Sequence, residues 1–199
     1  MMIKGYFPMG RLSNEKAILI KRLVNLELGY FLEHDRYVSE DGQVDITKIA
    51  TDLGFDVYSL DLSKEKVKGL MYVNKKRGRE SRFIAVHDEH SIQSKRFIIA
   101  HELGHYFLEK GKNESEYISA AKYTDNQSAE DENELAADYF AGYSLIPDHK
   151  FNELMESLKK QCNGGDVNIE RKIEAVSNTF NVSSRVARLY IEVREGTAA

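Results

Sequence analysis

Residues 97–111, FIIAHELGHYFLEKG, constrain this chain more than any other stretch. They read as one helix whose apolar positions include Phe97, Ile98, Phe107 and Leu108. Two histidines and a glutamate stand in its middle, residue types that are costly on a buried face unless something there satisfies them. His101 and His105 are four positions apart, which sets both imidazoles on one face, a turn apart. Imidazoles so placed can ligate one zinc ion at about 2.0–2.1 Å. Glu102 points roughly 100° away around the helix, from where it reaches a water at the ion's open position without becoming a ligand. Gly104 is unfavourable in a helix interior, so its missing side chain implies a closely packed neighbour or room for substrate. The competing reading is a pair of hydrogen-bonded core histidines. The H-E-x-x-H spacing inside an apolar helix favours the metal.

A catalytic zinc takes three protein donors and keeps one position open. The third donor must come from later in the chain. His149 follows Pro147 and reads as the surface start of a helix. The carboxylates Glu130, Asp131, Glu132, Glu134 and Asp138 crowd the beginning of a second helix, ENELAADYFAGYSL. The helix dipole alone accounts for Glu130, Asp131 and Glu132. It accounts poorly for Asp138, which lies deeper, between Ala136, Ala137, Tyr139 and Phe140. Glu134 is the first choice for the third ligand, with Glu130 or Glu132 as alternatives. Asp138, one turn further, is placed to accept the free N–H of a ligand histidine and fix its ring. Zn²⁺ is the expected ion, and a His₂Glu set also admits Mn²⁺ or Fe²⁺. Such a centre acidifies water and polarises a carbonyl, with Glu102 carrying the proton. A second oxyanion donor is open among Tyr106, Tyr117, Tyr123, Tyr139 and His90, core packing being the stronger reading for Tyr106 and Tyr139.

The rest of the chain supplies the frame. Helical spacing of Ile20, Leu23, Val24, Leu28 and Phe31 predicts a helix after Ser13, and Asp45 caps a short helix ending at Gly54. Strands follow near Val57–Leu60, at 67–73 and at 81–87, the last two joined by the polar turn NKKRGRE. Asp88 or Ser91 caps the histidine helix, and Gly111 stops it. The acidic stretch before Glu132 reads as a loop or short helix. Three short helices, broken at Gly164-Gly165 and at Asn181, close the chain. The strand at 82–87 is a candidate edge for pairing with an extended substrate.

Net charge is −4 in 199 residues, which gives no general attraction to nucleic acid or anionic lipid. Cys162 is the only cysteine, so a cysteine zinc cage and an intrachain disulfide are both excluded. A lone thiol, no signal-peptide pattern in MMIKGYFPMGR and no long apolar run predict a cytoplasmic protein with no membrane association. The segment IEAVSNTFNVSSRVARLYIEV has the outline of a helix-turn-helix. Its neighbourhood lacks a basic surplus, since Arg171, Lys172, Arg185, Arg188 and Arg194 are balanced by Asp166, Glu170, Glu174, Glu192 and Glu195. Packing or partner docking is therefore expected of it, and no direct nucleic-acid binding.

RFIIAHELGHYFLEKG followed by ENELAADYFAGYSLIP resembles the ImmA/IrrE metallopeptidase family. There the pattern runs R-F-x-x-A-H-E-x-G-H, then E-x-x-A-N-x-F-A-x-x-L-L-x-P. The resemblance also takes in ITKIATDLGFDVYSLD and VKGLMYVN, and covers about residues 43–147. It implies His101 and His105 as ligands, Glu102 as general base and Glu134 as third ligand. Asp138 stands where the family often has asparagine, and both accept a hydrogen bond. The fold implied is α+β, a zincin-like core with a small antiparallel sheet packed on the H-E-x-x-H helix, plus C-terminal helices. The expected organisation is an N-terminal helical segment (1–42), the metallopeptidase core (43–147) and a helical appendage (148–199). The resemblance further implies a selective regulatory protease whose protein substrate is a helix-turn-helix repressor. The rival is a non-catalytic metal-dependent sensor or a helix-turn-helix DNA-binding regulator.

Overall fold

The structure, a computed structural model, describes residues 12–76, 79–109, 116–122, 132–162 and 165–195. Local chemistry sets where its helices begin. Ser13 accepts a hydrogen bond from the Lys16 N–H at 3.3 Å and opens α1 (Asn14–Leu32). Asp45 does the same for Lys48 at 3.0 Å and opens α2 (Ile46–Asp52). After β1 (Asp56–Leu60), β2 (Val67–Lys76) and β3 (Arg79–His87), Ser91 takes the Ser94 N–H at 3.2 Å and starts α3 (Ile92–Glu109). The expected stop at Gly111 lies outside the described residues, as does the tip of the β2–β3 turn. Then come β4 (Glu116–Lys122), α4 (Glu132–Leu145), α5 (Asp148–Gln161), α6 (Ile169–Phe180) and α7 (Ser184–Glu195). Asn181, left-handed at φ 50°, ends α6, and Ser183 caps α7 through the Val186 N–H at 3.3 Å.

The class is α+β, with the strands in the order β1-β3-β2-β4. β2 runs antiparallel to both neighbours, but β1 lies parallel to β3, from Asp56 opposite Phe83 to Leu60 opposite His87. The sheet is therefore mixed, where the sequence suggested an antiparallel one. That pairing also overturns the edge role expected of residues 82–87: β3 is interior, its backbone engaged by β1 on one side and β2 on the other. Among the described strands the edges are β1 and β4. β4 arises from the acidic stretch read as a loop or short helix, and its ladder with β2 runs from Asn74–Glu116 to Val67–Lys122.

α3 lies across one face of the sheet. Gly69 of β2 permits this: a Cβ there would sit 2.4 Å from Ile98 Cγ2 and 3.1 Å from the Ala85 carbonyl. α4 packs on α3 and α1, and buries Leu135, Ala137 and every residue from Tyr139 to Leu145. A helix apolar on all sides belongs in a core. α7 covers its remaining side with Val186, Ala187, Leu189, Tyr190 and Ile191. One continuous buried cluster runs from α1 through the sheet, α3 and α4 to α7.

Candidate metal centre

The centre is built by two helices held unusually close. At Gly104 of α3 a Cβ would meet Ala137 Cα at 3.1 Å, Phe140 Cβ at 3.1 Å and the Ala137 carbonyl at 3.2 Å. The glycine thus makes room for the backbone of α4, not for substrate. Contact at this depth brings the first turns of α4 against the histidine face of α3. His101 and His105 are each 6% exposed, and their Nε2 atoms are 3.0 Å apart. Glu134 spans them, with Oε2 3.3 Å from His101 Nε2 and Oε1 3.4 Å from His105 Nε2. One donor atom from each of the three residues falls within a 4.8 Å cluster. The Glu134 side chain is 51% exposed, so the cluster is walled by α3 and opens to solvent on the α4 side.

Asp138, one turn beyond Glu134, accepts a hydrogen bond from His101 Nδ1 at 2.9 Å. This fixes the tautomer that leaves Nε2 free to face the cluster. Burial opposes a charge on His101, but its hydrogen bonds to Asp138 and Glu134 outweigh it and push its pKa up to about 10. The two imidazoles in turn hold the Glu134 carboxyl well below the usual carboxylate range. Glu102, next to the first histidine, is fully buried. Two imidazole nitrogens and a carboxylate, with a second carboxylate orienting one imidazole, fit the donor chemistry of a divalent ion such as zinc.

The other candidates go elsewhere. Glu132 pairs with Lys16 of α1. Glu130, Asp131 and Tyr123 lie outside the described residues, as does the side chain of Tyr117. The Tyr106 ring packs edge-on against Phe55 at 5.1 Å and beneath the Arg82 guanidinium, and Tyr139 is 3% exposed in the core. His90 sits beside His87 at the end of β3, and its pKa is lowered by burial and by the nearby basic side chains of His87, Lys68 and Lys95. His149 is exposed on α5. Sequence reasoning passed over Arg96, which donates to the carbonyls of Val44 (3.0 and 3.3 Å), Phe180 (3.0 Å) and Asn181 (2.7 Å). Its early signal was its place at the head of the R-F-x-x-A-H-E-x-G-H pattern, directly before the apolar run of α3.

Residues 50–189 match the IrrE N-terminal-like domain, a peptidase family. The chain belongs to the ImmA/IrrE metallopeptidase family. Within it, the chain is 34% identical over 74 residues to Metallopeptidase ImmA of Bacillus subtilis. That stretch is 37% of this chain and 41% of the relative, so it spans less than half of the relative's length. The range matched to the ImmA/IrrE metallopeptidases contains every donor described above and continues through α5 and α6 into α7. Among the described residues of this family member, no helix is long and apolar enough to cross a membrane.

Proposed function

We propose that this chain is a zinc-dependent endopeptidase of the cytoplasm that cleaves a partner protein selectively. The observation that carries the reading is the convergence of His101, His105 and Glu134 beside the buried Glu102. His101 and His105 would hold the ion with their imidazoles and Glu134 with its carboxylate, and Asp138 keeps the His101 ring in register. A divalent ion bound there supplies Lewis acidity, which acidifies water and polarises a peptide carbonyl. Glu102 accepts the proton of the attacking water and delivers it to the leaving amine. Its burial keeps bulk water from that transfer, and the half-exposed side of Glu134 leaves an approach for an extended chain.

The substrate class we infer, on the resemblance of the two motifs, is a helix-turn-helix transcriptional repressor, whose cleavage would release the genes it silences. The alternative, a metal-dependent sensor without catalysis, has no use for a carboxylic acid at position 102. The test is to incubate the purified chain with any helix-turn-helix repressor encoded next to its gene, with and without a chelator. Fragments that vanish with chelator, and with Glu102→Gln while metal stays bound, are the expected result. An intact repressor under all conditions, or a Glu102→Gln chain as effective as the wild type, overturns the peptidase reading.

A further inference from the structure

The segment with a helix-turn-helix outline is turned inward in this fold. The α6–α7 turn is gripped by the α3 residue Arg96, which donates to the Phe180 and Asn181 carbonyls at 3.0 and 2.7 Å. The same guanidinium donates twice to the Val44 carbonyl ahead of α2, so three chain segments meet on it. Arg96 stands five residues before His101, on the helix that carries two of the three donors. The partner helix of the turn, α7, lies on α4, the helix that carries Glu134 and Asp138. Val186 approaches Gly142, and the Tyr190 ring meets Tyr143 edge-on at 5.6 Å. The α6–α7 pair therefore touches α3 by hydrogen bonds and α4 by apolar packing. Two of its basic residues are tied within the helical layer: Arg188 of α7 pairs with Glu170 of α6, and Arg194 reaches Asp148 and Asn152 on α5.

We propose that the α6–α7 pair is a brace for the metal centre, and that Arg96 is the positioning residue through which it sets the separation of α3 and α4. The inference rests on the metal-centre reading above. Its physical basis is that a donor set split between two helices binds only as well as the helices are held. Packed elements with shared contacts move together; groups bonded directly to metal ligands change affinity by about 10–100-fold, and a contact that sets the position of the ligand-bearing helix acts on the same geometry from further out. Arg96 suits the task because one planar guanidinium can satisfy several carbonyls at fixed angles, including those at the α6 C-terminus, where the helix dipole favours a cation. A lysine cannot reproduce that fork. By linkage, an ion bound between α3 and α4 also strengthens the docking of α6–α7 by the same factor.

The experiment is a titration of the metal-free full chain with Co²⁺, read by its ligand-field absorption, for the wild type and four variants. Arg96→Ala and Arg96→Lys remove the grip from one side. Asn181→Val removes it from the other, because a β-branched residue resists the left-handed conformation at φ 50°. Asn181→Gly retains that conformation and serves as control. Folding of each is verified by circular dichroism. The brace predicts that Arg96→Ala, Arg96→Lys and Asn181→Val lose about tenfold or more in Co²⁺ affinity and show altered absorption at saturation, while Asn181→Gly matches the wild type. Folded variants with wild-type affinity and spectrum overturn the brace and leave the peptidase reading intact. If Arg96→Ala does not fold, the two Asn181 variants decide alone. A wild type that takes up no Co²⁺ defeats the metal-centre reading itself.

Discussion

At the scale of single residues, the donor set divides by how much each side chain depends on its surroundings. His101 and His105 were legible in the sequence because their spacing alone fixes their relation on a helix. Glu134, the first choice from sequence for a third ligand, lies beside both histidines, and the geometry sets Glu132 apart from it by pairing Glu132 with Lys16. Asp138 was inferred from its depth in an apolar helix, and it accepts from His101 Nδ1 at 2.9 Å. Asp138→Ala removes that acceptor and frees the ring to rotate, so zinc affinity is expected to fall by about 10–100-fold. Asp138→Asn keeps an acceptor and should fall less. Competition with a fluorescent chelator measures both. Equal affinity in wild type and Asp138→Ala would deny Asp138 its orienting role. Arg96 was not legible, because its partners are backbone carbonyls at positions 44, 180 and 181, which no local pattern ties to it.

At the scale of elements, Gly104 decides how α3 and α4 meet. Alanine in place of glycine inside an unconstrained helix stabilises by about 0.5–1 kcal/mol. Here the added methyl would press on the α4 backbone at 3.1 Å from Ala137 Cα, so the sign reverses. Gly104→Ala is expected to destabilise by about 1–3 kcal/mol and to weaken zinc binding, because the helices must separate. Thermal unfolding and zinc titration check the two effects; an alanine variant more stable than wild type would show that the close approach carries no constraint. The helices were read well from sequence because capping residues and 3.6-residue periodicity are local. Three of the four strands were found, but not their order. A linker of six residues between β1 and β2 suggests neighbours, yet β3 takes the place between them and pairs in parallel with β1. β4 escaped notice because Glu116–Lys122 has little apolar alternation of its own. Its strand conformation comes from the backbone ladder to β2, a long-range partner that the local sequence does not announce.

At the scale of the whole molecule, the N-terminal and C-terminal helices are tied across the core by one charged cluster. Asp148 at the start of α5 pairs with Lys21 of α1 at 2.6 Å, accepts from Tyr190 of α7 at 2.6 Å and lies 3.6 Å from Arg194. Burial raises its pKa, and the hydrogen bonds from Lys21 and Tyr190 outweigh that and hold it below the usual carboxylate range. A carboxyl with a depressed folded pKa stabilises the fold above its unfolded value, about 3.9, and that contribution disappears as pH falls through the folded value. Asp148→Asn should therefore cost about 1 kcal/mol at neutral pH, a figure kept small by the solvent exposure of the cluster. The difference from wild type should close below about pH 4. Urea unfolding of both chains across pH measures this, and a gap that persists unchanged into acid would contradict the assignment.

The most direct test of the whole account is the zinc stoichiometry of the metal-free chain by isothermal titration, beside His105→Ala and Glu134→Ala. One tight zinc per wild-type chain, lost or strongly weakened in both variants with the fold retained, is the predicted result. A wild type that binds no zinc, or variants that bind it as tightly as the wild type, would contradict the claim that one ion is held between α3 and α4.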